Sequence, residues 1–261
     1  MMTSSEIRSN ARKSLAGKWK SAVLITLVYI LFSAVLQFIE KKFEDNDVMN
    51  LIISVIVFII DVPISFGFII SFIKLKRGEN VGAFDFFTDG FSNFSRAWSI
   101  AWSTIVKMIL PIILVIVAAV IFIGFSGASL IGVMSDVAVS NSIGKSAPIL
   151  AVIGAILFVA AVVYAIIKGL LYSVSNYVAY DNPDMDAKSA VEESAKLMNG
   201  NRGNLVGLQL SFIGWAILGI FTFFIGYFWL IPYMQVAAVC FYEALVGKED
   251  TSSLNESSDE E

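Results

Sequence analysis

Apolar residues arrive in long blocks along this chain, and polar residues gather between them. The longest uninterrupted block covers 205–242, 38 positions without a charged residue. One helix of that length would measure about 57 Å at 1.5 Å per residue, against a bilayer hydrocarbon core about 30 Å thick. The block therefore predicts two membrane crossings folded back on each other, with a turn near 222–227. Read the same way, the whole chain predicts six crossings, at roughly 21–39, 48–73, 103–125, 147–167, 205–221 and 226–245.

Two segments between crossings are more patterned than linkers need to be. Across 186–198, small or apolar residues recur at Ala187, Ala190, Val191, Ser194, Ala195 and Met198, which predicts an amphipathic helix. Asp184 or Asp186 would cap its start and Asn199-Gly200 would stop it. Its polar face carries Lys188, Glu192, Glu193 and Lys196, with Glu192 and Lys196 spaced as a favourable pair. Phe84, Phe87, Phe91, Phe94 and Trp98 form an aromatic stripe in the other segment. Helices of this kind lie in the interface or cover the end of a bundle. Aligning Gly17, Gly90 and Gly200 superposes three units, each a short amphipathic helix, a glycine, a polar stretch and a helical hairpin. The expected fold is all-α and polytopic: three hairpins, amphipathic helices on the cytoplasmic side and a weak threefold repeat. One membrane-embedded domain would occupy 1–247, followed by a disordered acidic tail at 248–261.

Charge orients this arrangement. Fourteen lysines and arginines fall on one side: Arg8, Arg12, Lys13, Lys18, Lys20, Lys74, Lys76, Arg77, Arg96, Lys168, Lys188, Lys196, Arg202 and Lys248. Only Lys41, Lys42 and Lys145 fall on the other, and Lys107 lies near or within the third helix. The bias predicts cytoplasmic N- and C-termini in a cell membrane. Charged residues are 15% of the chain, against about 25% for a soluble domain. The tail holds six acids and one lysine, so the net charge of -4 belongs to the tail. The first apolar block is longer than a signal-peptide core and no small-x-small cleavage pattern follows it, so it predicts a retained helix.

Candidate chemistry is sparse. The chain has no histidine and one cysteine, Cys240, which removes the commonest general base, the commonest zinc ligand and any intrachain disulfide. Asp61 sits inside the second apolar block beside Val62-Pro63. An aspartate at mid-membrane costs about 2.5–3.5 kcal/mol, which marks it as functional by default. The plainer readings place it near the outer end of a shorter helix or paired with Lys107. Pro63 would free a carbonyl one turn earlier. Lys107 is placed to snorkel, while Gln209 and Gln235 would hydrogen-bond between the last two helices. Gly203, Gly207 and Ser211 recur every four residues and predict close helix packing. Trp229, Tyr227 and Tyr233 suit an outer aromatic belt, Tyr242 an inner one, and Glu243 the end of the sixth helix. Gly144-Lys145-Ser146 mimics the end of a phosphate loop, but position 139 is valine. No metal cluster, nucleophile elbow or dinucleotide fingerprint appears, and no catalytic residue or cofactor is expected.

Several motifs together resemble the domain-of-unknown-function 975 family of bacterial membrane proteins. They are Ala11-Arg12-Lys13-Ser14-Leu15-x-Gly17-x-Trp19, Pro63-x-Ser65-x-Gly67, Leu75-x-Arg77-Gly78-Glu79 and Asp89-Gly90-Phe91. The most specific block is Ser194-x-x-Leu197-Met198-x-Gly200-x-Arg202, continued by Leu210-Ser211-Phe212-Ile213-Gly214-Trp215, Trp229-Leu230-x-Pro232-Tyr233 and Phe241-Tyr242. Ala195 stands where the family pattern has an arginine. The resemblance implies a multi-pass protein of a Firmicutes type and carries no activity with it. A more distant likeness, to the membrane domain attached to some glycerophosphodiester phosphodiesterases, adds no catalytic residue.

The function expected is that of a non-enzymatic scaffold or accessory factor of the cell envelope. Its partners would be the lipid bilayer and either a membrane protein or a second copy of the chain, with no nucleic acid. The alternative is a small transporter or channel subunit using Asp61 and Lys107.

Overall fold

The computed structural model describes residues 2–134 and 142–247. The acidic tail lies outside the described residues, as does the side chain of Lys145. Every regular element among them is helical: α1 (Ser4–Leu15), α2 (Trp19–Lys42), α3 (Asp47–Lys76), α4 (Asp85–Ser92), α5 (Phe94–Met134), α6 (Ser142–Leu171), α7 (Ser175–Asp181), α8 (Ala187–Met198), α9 (Arg202–Leu210), α10 (Ile213–Phe221) and α11 (Tyr227–Val246). Among the described residues, six helical stretches are long and apolar enough to cross a membrane. The chain divides into two compact units, Met1–Trp102 with Val174–Glu261, and Ser103–Ser173.

In the first unit, α3 changes character at its middle. Val48, Leu51, Ile52, Val55, Ile56, Phe58 and Ile59 are exposed, whereas Pro63, Ile64, Phe66, Phe68, Phe72 and Leu75 are buried. An apolar surface as large as that of the first half is one that a bilayer covers. The second half is the axis of a protein core. Around it pack α4, α2, α11 and α7, and α1 packs on α11. Ile7, Ala11 and Leu15 of α1, Phe86 of α4, Ala190, Val191 and Met198 of α8, and Val236 to Tyr242 of α11 are the buried or nearly buried faces.

The tightest joint is between α3 and α4. A Cβ on Gly67 would lie 2.0 Å from the Phe86 carbonyl oxygen, and one on Gly90 would lie 2.3 Å from that of Pro63. Two backbones therefore touch where the side chains vanish. At this joint Phe86 is the buried ring, while Phe84 and Phe91 of the expected aromatic stripe are exposed at 64% and 50%. The helix turns its Gly90 edge to α3, and the stripe faces elsewhere.

Helices α1 and α8 are built alike. Each has 12 residues, begins on a side-chain cap (Thr3, Asp186) and ends before a glycine with positive φ, +75° at Gly17 and +82° at Gly200. After each glycine one residue (Lys18, Asn201) accepts the first bond of the next helix, from Ala22 and Leu205. Gly90 holds a different place, inside α4, and is not a left-handed stop.

The predicted fifth crossing is divided. Ser211 bends the chain between α9 and α10: its hydroxyl turns back to the Leu208 carbonyl at 2.6 Å, and its own carbonyl accepts from Arg8 at 3.4 Å. The turn between α10 and α11 has no charged side chain, and Phe223 and Phe224 adopt φ of 51° and 66°. Every backbone N–H from 222 to 230 donates within the hairpin, Gly226 to the Thr222 hydroxyl. An apolar turn with its amides paired in this way needs no water.

The second unit is a helical pair, α5 from Ser103 and α6. A Cβ on Gly154 would lie 3.0 Å from the Phe122 Cα, and the Phe122 and Phe158 rings stack at 6.2 Å. Its Ile113, Leu114, Val120, Ile153, Ile156 and Val159 are exposed, the condition of helices solvated by lipid.

Candidate functional site

Ionisable side chains of the first unit converge where α3, α7 and α11 end. Arg77, immediately after α3, donates to both oxygens of Asp181 at 2.7 and 3.0 Å and to Glu243 at 3.2 Å. Lys76 pairs with the other oxygen of Glu243. The Tyr242 hydroxyl donates to Asp181 at 3.1 Å, and its ring stacks on Tyr177 at 5.5 Å. Both carboxylates are 5% exposed, so neither is solvated by bulk water.

Local sequence explains the convergence. Each apolar block finishes on a charge, Lys76-Arg77, Asp181 and Glu243, and packing of the blocks brings those ends together. Burial works to lower the Arg77 pKa, but the hydrogen bonds and negative charges of Asp181 and Glu243 outweigh it and hold the guanidinium above its ordinary value. A planar fork between two acids suits arginine better than lysine.

Two further cations close the rim. Lys74 bonds both oxygens of Asp89 at 2.7 and 2.9 Å, tying α3 to α4. Arg96 gives four bonds of 2.5–3.0 Å to the carbonyls of Ala179, Asn182 and Pro183, capping the end of α7. This arrangement cross-links helix ends and has no nucleophile beside a general base. Among the described residues, no three His, Cys, Asp or Glu side chains are grouped to hold a metal ion.

The residues singled out by sequence fall elsewhere. Asp61 is at the midpoint of α3, where the exposed half meets the buried half, with Tyr29 of α2 as a neighbour within electrostatic reach. It is therefore not near the end of a shorter helix. Lys107 stands on α5 in the second unit. Gln209 is exposed on α9 and Gln235 half-buried on α11, and no hydrogen bond joins the two. Gly203 and Gly207 of the small-residue stripe have room: a Cβ on Gly203 meets nothing within 4 Å, and one on Gly207 meets the Ser4 hydroxyl at 3.6 Å. Here α9 buries Leu205 and Leu208, while Gly207 lies against Ser4 of α1 and the Ser211 carbonyl accepts from Arg8 of the same helix. Tyr242, expected in an aromatic belt, is 1% exposed and bonded within the knot. No motif in the sequence singles out Asp181. Its signal is the placement of opposite charges at the ends of successive apolar blocks.

Pro63 has a visible consequence. It removes the amide that would bond the Ile59 carbonyl, and the Trp98 indole N–H donates to that carbonyl at 3.3 Å.

With every regular element among the described residues helical and six stretches long and apolar enough to cross a membrane, the chain is a polytopic membrane protein. It belongs to the family described as protein of unknown function (DUF975), whose family profile matches residues 1–249. No curated protein and no solved structure matches the chain.

Proposed function

We propose that the protein is a non-enzymatic scaffold or accessory factor of the cell membrane, with both termini in the cytoplasm. The charged knot carries this reading. Arg77, Asp181, Lys76 and Glu243 bond one another and fix the ends of α3, α7 and α11, which suits a rigid platform more than a site that must bind and release. On that platform α8 presents Lys188 and Lys196 to solvent while Ala190, Val191 and Met198 hold it down. The lysine and arginine bias supports the orientation.

Affinity capture of the full chain in mild detergent tests the reading. A membrane protein in constant stoichiometry should be retained, and Lys188→Glu should reduce its recovery while leaving the melting temperature unchanged. Repeated recovery of the chain alone, or turnover of a substrate by the purified chain, overturns it.

A further inference from the structure

We propose that the groove between α1, α10 and α11 binds an anionic phospholipid, with its phosphate on Arg8 and Arg12 and an acyl chain along Trp215, Leu218 and Trp229. The cavity measures about 470 Å³ and lies wholly within the first unit. That volume falls within the roughly 300–1,000 Å³ usual for small-ligand sites.

The groove is polar at one wall and apolar along the other. Ser5, Arg8 and Arg12 recur at helical spacing on α1 and line the same side. The opposite face of α1 is consumed by the core through Ile7, Ala11 and Leu15. The Tyr233 hydroxyl donates to the Arg8 carbonyl at 3.1 Å and pins this wall to α11. Across from it, Trp215, Leu218 and Trp229 are 56%, 56% and 52% exposed. They continue into the exposed apolar face of α10, the part of this unit that hydrocarbon covers.

Charge sets the ligand's sign. Glu6, the acid on α1, has its carboxylate turned to Thr3, whose backbone N–H and hydroxyl donate at 2.6 and 2.8 Å. Among the described residues, no carboxylate lies within ion-pair distance of Arg8 or Arg12. Arg8 also donates to the Ser4 and Ser211 carbonyls, each at 3.4 Å, and its remaining donors together with those of Arg12, in a groove without a counter-charge, favour a phosphate. A free phosphate would leave the tryptophan and leucine wall uncovered. A lipid satisfies both walls, and its chain enters from the side already facing the bilayer.

The test uses the full chain in neutral detergent and native mass spectrometry with added phosphatidylglycerol or phosphatidylcholine of the same chain length. Phosphatidylglycerol should bind at one site at least tenfold more tightly, and Arg8→Gln/Arg12→Gln should remove that preference. Lys13→Gln/Lys20→Gln, which takes two exposed cations from outside the groove, should leave it intact. Millimolar inorganic phosphate should not displace the lipid. A second measurement needs no variant: phosphatidylglycerol brominated on its acyl chain should quench tryptophan fluorescence at lower concentration than brominated phosphatidylcholine. Equal binding of the two lipids, equal loss in both double variants, displacement by free phosphate, or equal quenching each overturns the proposal.

Discussion

Arg77 and Asp181 meet through two parallel hydrogen bonds of 2.7 and 3.0 Å, although 104 residues separate them in sequence. Asp181 is almost fully enclosed, and Arg77 also reaches Glu243. Removing one partner from a buried pair strands the other's charge, at about 3–5 kcal/mol. Arg77 keeps 29% of its side-chain exposure, which places the effect at the lower end. Arg77→Ala should therefore lower the melting temperature in detergent markedly. Tyr242→Phe should lower it less, since one hydrogen bond to a charged group is worth about 1.5–3 kcal/mol. A melting curve for Arg77→Ala that overlays the parent would show that the knot contributes nothing to stability.

Glycine positions separate close packing from mere sequence spacing. Gly90→Ala must push its methyl against the backbone carbonyl of Pro63, which a 2.3 Å approach does not allow without moving α4. Folded yield should collapse, and Gly67→Ala should behave the same way. Gly203→Ala meets open space and exchanges a poor helix former for the best one, a gain of up to about 1 kcal/mol in α9. Yield by size-exclusion chromatography and thermal melting will rank the three variants.

The contrast between those glycines shows what the sequence could convey. Apolar blocks report that a helix is long enough to cross a membrane, so the number of crossings is legible in the sequence, as is the amphipathic α8 with Asp186, one of its two candidate caps, and its Gly200 stop. Partnership between helices is not written at one spacing. Gly203 carries the small-residue pattern yet meets nothing within 4 Å and Gly207 meets only the Ser4 hydroxyl, whereas Gly67 and Gly90, 23 residues apart and in no repeat with each other, make the tightest contact. The knot was hidden for the same reason. Arg77, Asp181 and Glu243 each look like an ordinary helix end until tertiary packing superposes them. The Ser211 carbonyl at the break between α9 and α10 accepts from Arg8, some 200 residues away, and no local pattern contains that bond.

Orientation is open to chemical labelling because the lone cysteine, Cys240, is buried. Asp45→Cys lies in the exposed link between α2 and α3, and Glu79→Cys in the exposed segment after α3. With cytoplasmic termini, a membrane-impermeant maleimide added to intact cells should label the Asp45→Cys variant and spare the Glu79→Cys variant, with the second reacting after permeabilisation. The reverse pattern would invert the topology argued from the lysine and arginine bias.

The two side-chain caps predict an acid-sensitive pair of helix starts. Glu6 is held below its usual pKa by the backbone N–H and then the hydroxyl of Thr3, and Asp186 by the hydroxyl and backbone N–H of Ser189. A carboxylate depressed in the folded state adds stability above its unfolded pKa, and that contribution is lost as pH falls through the lower folded value. Amide exchange in the first turns of α1 and α8 should therefore accelerate as pH drops below the ordinary carboxylate range, after correction for intrinsic exchange. Asp186→Asn, which keeps a capping oxygen without the titration, should flatten the response in α8 alone. An equal acid response in that variant would assign the effect to another group.

Trp98 and Pro63 should prove coupled. Pro63 lacks the N–H that would bond the Ile59 carbonyl, and the Trp98 indole takes its place at 3.3 Å while its ring meets Phe58 edge-on at 5.4 Å. Trp98→Phe keeps an aromatic ring but deletes the donor, leaving a carbonyl unpaired at about 1–3 kcal/mol. Pro63→Ala restores a backbone donor to the same carbonyl, so the indole N–H becomes dispensable. In the double variant the penalty of Trp98→Phe should shrink to its packing component alone. The double-mutant cycle should then show a coupling of about 0.5–3 kcal/mol, read from chemical or thermal unfolding of the full chain in detergent. Strict additivity would mean that Trp98 stabilises α3 through its ring and that the indole bond to Ile59 contributes nothing.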